Sequence, residues 1–322
     1  MESNPPTHDS LRPGVSVVVP VYNSEQTLPE LVGRLIAVMQ ARGVAFEIIL
    51  VNDSSRDRSW AVACQLAAGS FVRAVDLMRN FGQHNALLCG IREARYEVTV
   101  TLDDDLQHPP EEIPRLLDAL DGGYDVVYGA AEELPHGIFR NLASATTKVA
   151  LQVAMGAETA RRVSAFRAFR TRLRDAFARF AGTFVSVDVL LTWGTTRFGH
   201  TFTRHEPRRV GRSNYTLRKL VVHAVNMITG FSTRPLQLAS LLGFSLTLLG
   251  GVLLAVISAR YVLEGSAPPG FPFLASVITL FSGAQLFALG VMGEYLARVH
   301  VRLLDRPSYV VRASAPERTG GP

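Results

Sequence analysis

Cysteine and tryptophan are scarce in this chain, two of each among 322 residues, and almost all of the positive charge is carried by arginine, with lysine only at Lys148 and Lys219. The cysteines, Cys64 and Cys89, each fall inside an apolar helical pattern and form no metal-ligand spacing, so they read as reduced, buried thiols. The opening MESNPPTHDSLRPG has no apolar run and does not read as a signal peptide, so the chain is expected to begin in the cytoplasm. No Gly-x-Gly-x-x-Gly follows the first β-like run, where PVYNSEQ stands instead, which disfavours a dinucleotide-dependent dehydrogenase. Charged residues make up only 19% of the chain against 48% apolar, and two long intervals hold no charge at all. These run from Arg234 to Arg260 and from Glu264 to Glu294, each longer than the roughly 20 apolar residues that cross a hydrocarbon core.

The formal net charge of +5 is concentrated in arginine clusters from Arg161 to Arg218 and from Arg298 to Arg312, which suit phosphate groups or anionic head groups. No recognition motif for nucleic acid accompanies them, so no nucleic-acid partner is expected. Basic residues flank both ends of the apolar pair, whereas the connecting YVLEGSAPPGFP is poor in them. The positive-inside rule then predicts a helical hairpin with the N-terminal domain and both ends in the cytoplasm, in a multi-pass protein of the inner membrane. The boundaries predicted are a disordered start (1–14), a catalytic domain (15–215), a helix (216–233), two transmembrane helices (234–296) and a cytoplasmic tail (297–322). Leu217, Leu220, Val221, Val225 and Ile228 leave the helix at 216–233 open to two readings, one lying at the membrane interface and one packed in the ordinary way.

From Val15 onward, short β-rich runs (VSVVVP, FEIILVN, VRAVDL, EVTVTL) alternate with amphipathic helical stretches. That rhythm predicts an α/β fold with a mostly parallel sheet and helices on both faces. In the first helix, Leu28, Leu31, Val32, Leu35, Ile36 and Met39 share one face, and Ser24 is the expected N-cap.

The stretch TVTLDDDLQHPPEEIPRLL places Asp103, Asp104 and Asp105 at the C-terminal end of a predicted parallel strand, where open α/β sheets face their ligand crevice. One aspartate before PPEE would serve as a helix cap; three adjacent carboxylates exceed that need, and a divalent cation relieves their repulsion. The prolines fix a helix start, with Glu111 and Glu112 as first-turn acids favoured by the helix dipole.

Taken in order, SVVVPVYNSEQTLPEL, ILVNDSSRD, RNFGQHNALLCGI, TLDDDLQHPPEEIPRLL and RRVGRSNYTLRKL, followed by two apolar spans, resemble the inverting glycosyltransferase family 2. Within it the chain looks most like the polyprenyl-phosphate glycosyltransferases, such as dolichyl-phosphate mannose synthase and the undecaprenyl-phosphate formamido-arabinose enzyme. The resemblance covers Val15 to about Tyr309. It implies a GT-A type nucleotide-binding fold in which Pro20, Tyr22, Asn23 and Glu25 line the nucleotide pocket and Asp53 reads the base. It further implies that Asp103 and Asp105 hold the nucleotide and a Mg²⁺ or Mn²⁺ on its diphosphate, with Asp104 beside them. Gln107 would hydrogen-bond the sugar or a phosphate, or serve as a polar turn residue. Arg208, Arg212, Ser213 and Tyr215 would clamp the acceptor phosphate and donor diphosphate, guanidinium forks and hydroxyls being matched to phosphate geometry. The lesser alternative is a positive-inside loop paired with anionic lipid, and the two roles can fall to different arginines.

The expected activity is therefore transfer of one sugar from a UDP- or GDP-linked donor to a polyprenyl phosphate, undecaprenyl or decaprenyl phosphate, by a membrane-bound homo-oligomer such as a tetramer. A processive polysaccharide synthase is the alternative enzyme, but its Gln-x-x-Arg-Trp element is missing, since neither Trp60 nor Trp193 follows an arginine. A non-catalytic membrane scaffold or lipid carrier is the third reading, and the intact Asp-x-Asp argues against it. Two departures stand out: Asn52-Asp53-Ser54-Ser55 replaces the usual Asp-Asp-Gly-Ser, and Ser164-Ala165-Phe166-Arg167 lacks the carboxylate some relatives carry there. A phosphate monoester has a second pKa near 6, so the acceptor is mostly dianionic at pH 7 and needs little help from a base. Asp188 is the spare candidate for that role, or a helix N-terminal or hydrogen-bonded residue.

Overall fold

The computed structural model describes residues 11–131, 162–182, 185–206, 234–264, 270–304 and 306–316. Strand β1 (Arg12–Val21), helix α1 (Leu28–Arg42), β2 (Phe46–Asn52), α2 (Ser59–Leu66), β3 (Val72–Leu77), α3 (Gln83–Glu93) and β4 (Tyr96–Thr101) follow the expected rhythm. A 3₁₀ turn at Pro110–Glu112 leads into α4 (Ile113–Asp121) and β5 (Val126–Ala131). Then come β6 (Arg167–Arg170), α5 (Val187–Thr192), β7 (Phe198–Thr203), the long helices α6 (Arg234–Glu264) and α7 (Gly270–Leu303), and β8 (Val311–Ala315).

One sheet joins the strands in the order β7-β5-β6-β4-β1-β2-β3-β8. β1 pairs in parallel with both β2 and β4, β2 with β3, and β5 with β7; β6 and β8 run antiparallel to their neighbours. Alternation within the strands divides the core. Val17, Val19, Ile48 and Leu50 face a layer with Leu31, Leu35, Ala63 and Leu116 from α1, α2 and α4. Val18, Ile49 and Val51 face the other, with Leu88, Ile91, Val187 and Leu190 from α3 and α5. Because the side-chain period of a strand is two, each face is covered by its own helices, as a doubly wound sheet requires. Gly90 sets the approach of α3, since a Cβ there would collide with Val18 Cγ1 and come within 3.1 Å of Val51 Cγ2.

Helix α1 begins at Leu28, with Thr27 at its N-cap and no side-chain cap, so Ser24 is not the cap the sequence suggested. The Ser24 hydroxyl is drawn instead to the acidic loop described below, and its carbonyl accepts the N–H of Leu28 at 3.1 Å.

The apolar intervals form two helices that pack on each other, with the Phe281 ring where a Gly250 side chain would sit. Small residues at such contacts let helix backbones approach closely. At 31 and 34 residues, α6 and α7 extend about 46 and 51 Å. Among the described residues, one stretch, Leu236–Ile257, is long and apolar enough to cross a membrane. Its Ser245 and Thr247 hydroxyls are satisfied by carbonyls four residues back, both at 2.9 Å. Residues 311–315, read in the sequence as part of a tail, add β8 to the edge of the sheet beside β3.

Candidate active site

The chain order in the sheet reverses at β1: β2 and β3 lie to one side, β4 to the other. Ligands of open α/β sheets bind at such a switch point, beyond the carboxyl ends of the strands. Pro20 helps to open the crevice, because the β4 ladder stops at Val18↔Thr101 while β1 stays paired to β2 through Pro20↔Val51 and Val21↔Asn52. A proline has no N–H to give a further partner strand. Just past the ends of β1, β2 and β4, Asn23, Ser54 and Leu106 take positive φ angles of 55°, 56° and 59°. Non-glycine residues persist in that region only when their surroundings hold them there, and such strain gathers at functional sites.

Hydrogen bonds do the holding. Asp104 Oδ2 accepts the Tyr22 N–H at 3.0 Å and the Ser24 hydroxyl, while its carbonyl accepts the Thr27 hydroxyl at 2.8 Å. The central acid of the three thus ties the loop after β4 to the loop after β1. Burial raises its pKa more than the Ser24 and Tyr22 donors lower it, and the neighbouring Asp105 charge adds to the rise. The loops after β1 and β2 are stitched in turn: Asn23 N–H to Ser55 Oγ (3.0 Å), Arg56 N–H to Asn23 Oδ1 (2.8 Å) and Arg58 N–H to Glu25 Oε2 (2.9 Å). Asp53, buried, receives the N–H groups of Phe81 and Gly82 at 2.7 and 2.8 Å, which clamps the loop into α3. Burial raises the Asp53 pKa against those two amides, which lower it.

The outer acids face differently. Asp103 Oδ1 accepts the Gln83 side-chain amide at 2.5 Å, and Asp105 Oδ1 accepts the Gln107 N–H at 3.1 Å in a local turn. Both stay partly exposed at the crevice. Among the described residues no three His, Cys, Asp or Glu side chains form a ready metal cage. Two carboxylates nevertheless fit a Mg²⁺ or Mn²⁺ of the nucleotide type, which takes its remaining oxygens from phosphate and water.

Behind this loop lies a histidine that the sequence did not single out, together with acids that it did. His108 stacks on Phe166 with ring centroids 5.2 Å apart and meets His205 edge-on at 4.9 Å, and its buried Nδ1 has no hydrogen-bond partner among the described residues. Burial first, and then His205, lower its pKa to about 4, against Asp105, which raises it. Glu112, fully buried, accepts from Arg204 at 2.7 Å and Arg115 at 2.9 Å, while Glu111 takes both forks of Arg34 at 2.9 and 2.6 Å. The first-turn acids therefore also fasten α4 to α1 and to the end of β7. Arg167, fully buried beside Thr101 (2.9 Å), is paired with Asp188, whose Oδ1 also accepts the Tyr128 hydroxyl at 3.2 Å. Burial is the largest influence on Arg167 and lowers its pKa, yet the charge of Asp188 and the field of Asp103 carry it above the ordinary value. Asp188 is thus a buried acid engaged by Arg167 and Tyr128.

Pro20 is buried at the mouth of the crevice, and Tyr22, Asn23, Glu25, Asp53, Asp103, Asp104, Asp105 and Gln107 gather in the loops around it. Arg208, Arg212, Ser213 and Tyr215 lie outside the described residues, as does the predicted helix at 216–233. The approach to that segment is fixed, because the Glu206 N–H donates to the Gln107 carbonyl at 2.8 Å.

A mostly parallel sheet with paired acids at its switch point is the frame of a GT-A type glycosyltransferase. The family model for glycosyl transferase family 2 matches residues 16–175, and the chain belongs to this family. It is 35% identical over 309 residues to the undecaprenyl-phosphate 4-deoxy-4-formamido-L-arabinose transferase of Pectobacterium atrosepticum, covering 95% of this chain and 94% of that one. With the enzyme of the same name from Pseudomonas aeruginosa it shares 39% over 314 residues, 93% and 91% of the two chains. Among solved structures, glucosyl-3-phosphoglycerate synthase from Mycobacterium tuberculosis, in complex with Mn²⁺, UDP and phosphoglyceric acid, is similar at a TM-score of 0.48 and 16% identity, over 67% of this chain and 76% of that one.

Proposed function

We propose that this glycosyltransferase moves one sugar from a nucleotide donor to a polyprenyl phosphate, with undecaprenyl phosphate as the first acceptor to test, at the cytoplasmic face of the inner membrane. The observation that carries the reading is identity of 35–39% running through more than nine-tenths of the chain, long helices included, to transferases named for that acceptor. Sheet topology supports the membrane arrangement. Strands β1 to β7 and β8 share one sheet, so the chain between β7 and β8 crosses a bilayer an even number of times. If the apolar stretch Leu236–Ile257 spans, the chain must cross once more to return to the sheet, and α7 is the helix placed to do so.

In this reading Pro20, Tyr22, Asn23, Glu25 and Asp53 shape the nucleotide pocket, and Asp104 holds it in register by fixing the loop after β1. Asp103 and Asp105 take the Mg²⁺ or Mn²⁺, which supplies charge neutralisation on the departing nucleoside diphosphate. Gln107 sits between the acids and the segment leading to Arg208, Arg212, Ser213 and Tyr215, the groups that receive the acceptor phosphate. With Asp188 engaged by Arg167 and Tyr128, the acceptor attacks as its own dianion, with inversion at the anomeric carbon.

The test is a panel of radiolabelled nucleotide sugars, UDP-linked formamido-arabinose among them, given to the purified chain with undecaprenyl or decaprenyl phosphate. Metal-dependent label in the lipid extract is expected, and Asp105→Asn should abolish it while leaving the protein folded and membrane-bound. No label from any donor with either acceptor overturns the reading.

A further inference from the structure

The C-terminal strand carries one irregularity. Asp76 of β3 pairs with Ala313 of β8, but the next residue, Leu77, pairs with Val311, so Arg312 is an extra residue opposite no partner. A β-bulge of this kind re-aims a side chain. Arg312 is aimed across the end of β3: one guanidinium nitrogen donates to Asp76 Oδ2 at 3.2 Å and the other to the Met78 carbonyl at 2.6 Å.

Asp76 leads inward from there. Its carboxylate is buried, and its second oxygen accepts the Asn52 side-chain amide at 2.6 Å, from the residue paired with it across β2. Asn52 Oδ1 in turn accepts the Ser55 hydroxyl at 2.5 Å, and Ser55 Oγ receives the N–H of Asn23 at 3.0 Å. Four hydrogen bonds therefore run without a break from the strand that follows the long helices to the strained Asn23 in the loop after β1. A buried carboxylate keeps its place only when its oxygens are satisfied, and Arg312 is the cationic donor on one of them.

We infer that β8 is a working part of the donor site and that Arg312 and Asp76 are positioning residues for it, acting through Asn52 and Ser55 on the Asn23 loop. The inference rests on the reading of that loop as part of the nucleotide pocket. It places the last described strand, beyond the reach of the family model at 16–175, in the binding of the donor.

The experiment measures equilibrium binding of UDP and of GDP, each with Mn²⁺, by the purified full chain in detergent, alongside thermal melts. Arg312→Met should weaken binding of the preferred nucleotide roughly fivefold, the order of one ordinary net hydrogen bond, because the half-exposed guanidinium acts on the loop only through the relay. Arg312→Lys should bind within about twofold of the unaltered chain, since it keeps a cationic donor. In an Asn52→Ala background, Arg312→Met should add less than about twofold, because the relay is already cut. Unchanged affinity in Arg312→Met, a lowered melting temperature with unchanged affinity, or full additivity with Asn52→Ala overturns the inference. Should Arg312→Met fail to fold, Arg312→Gln, which keeps a donor without the charge, is read by the same criteria. If the unaltered chain binds neither nucleotide, the donor-site reading falls and takes the inference with it; normal binding in both forms removes the inference alone.

Discussion

Replacing His108 with phenylalanine should remove a pH-dependent weakness from the fold. The imidazole lies between Phe166 and His205 with its Nδ1 buried and, among the described residues, unpartnered, and its pKa falls from 6.5 to about 4. The folded protein therefore takes up this proton less readily than the unfolded chain does. The sign follows: stability from keeping the ring neutral is fully present above pH 6.5 and is lost as the pH falls towards about 4. That span corresponds to on the order of 3 kcal/mol, trimmed to roughly 2–3 because solvent still reaches part of the ring. For a domain of this size each kcal/mol moves the melting temperature by about 2–4 °C, so the loss between pH 7 and pH 4 should be roughly 5–10 °C. His108→Phe keeps a ring against Phe166 and cannot be protonated. Melting curves of both proteins across this range isolate the effect, because Asp57 and Glu111, whose lowered pKa values also cost stability in acid, are common to both. Parallel curves for the two proteins would refute the reasoning.

Other substitutions probe the frame. Asp188→Ala strands the buried Arg167 guanidinium and should cost about 3–5 kcal/mol, read as a large drop in melting temperature; a drop of only a degree or two would contradict the buried pair. Gly90→Ala drives a methyl group into Val18 and Val51 and should cost roughly 1–3 kcal/mol by displacing α3; unchanged stability would mean that the helix shifts freely. Arg208→Ala should weaken use of the lipid acceptor while donor affinity holds, and unchanged kinetics over a titration of undecaprenyl phosphate would remove Arg208 from the acceptor site.

Much of the fold is legible locally. Periodicity marks β1 to β4 and the helices between them, and the buried face of α1 is the predicted one, Leu28, Leu31, Val32, Leu35 and Met39 buried and Ile36 half-buried. Asp103 to Asp105 are legible as a site because strand-end position and charge density are both properties of a short stretch. What the sequence hides are partners distant along the chain. Ser24 has the chemistry of an N-cap, yet its hydroxyl goes to Asp104, 80 residues on, which offers a charged acceptor. Nothing within VSVDVLL reveals that Asp188 meets Arg167 and Tyr128 in the core. His108 reads as part of a turn until the fold packs Phe166 and His205 around it. The strand at 311–315 escaped notice because its residues lie mostly exposed on the sheet edge, without the apolar run that marks a central strand.

That edge strand also sets a clock for biosynthesis. Arg312 leaves the ribosome 236 residues after Asp76, an interval of roughly ten to fifty seconds at ordinary elongation rates. Throughout it β3 is the outermost strand of the growing sheet, with its ladder groups open to other chains. The sheet is therefore finished only after both long helices have been made, and a ribosome stalled in α7 leaves a nascent chain whose edge is still adhesive.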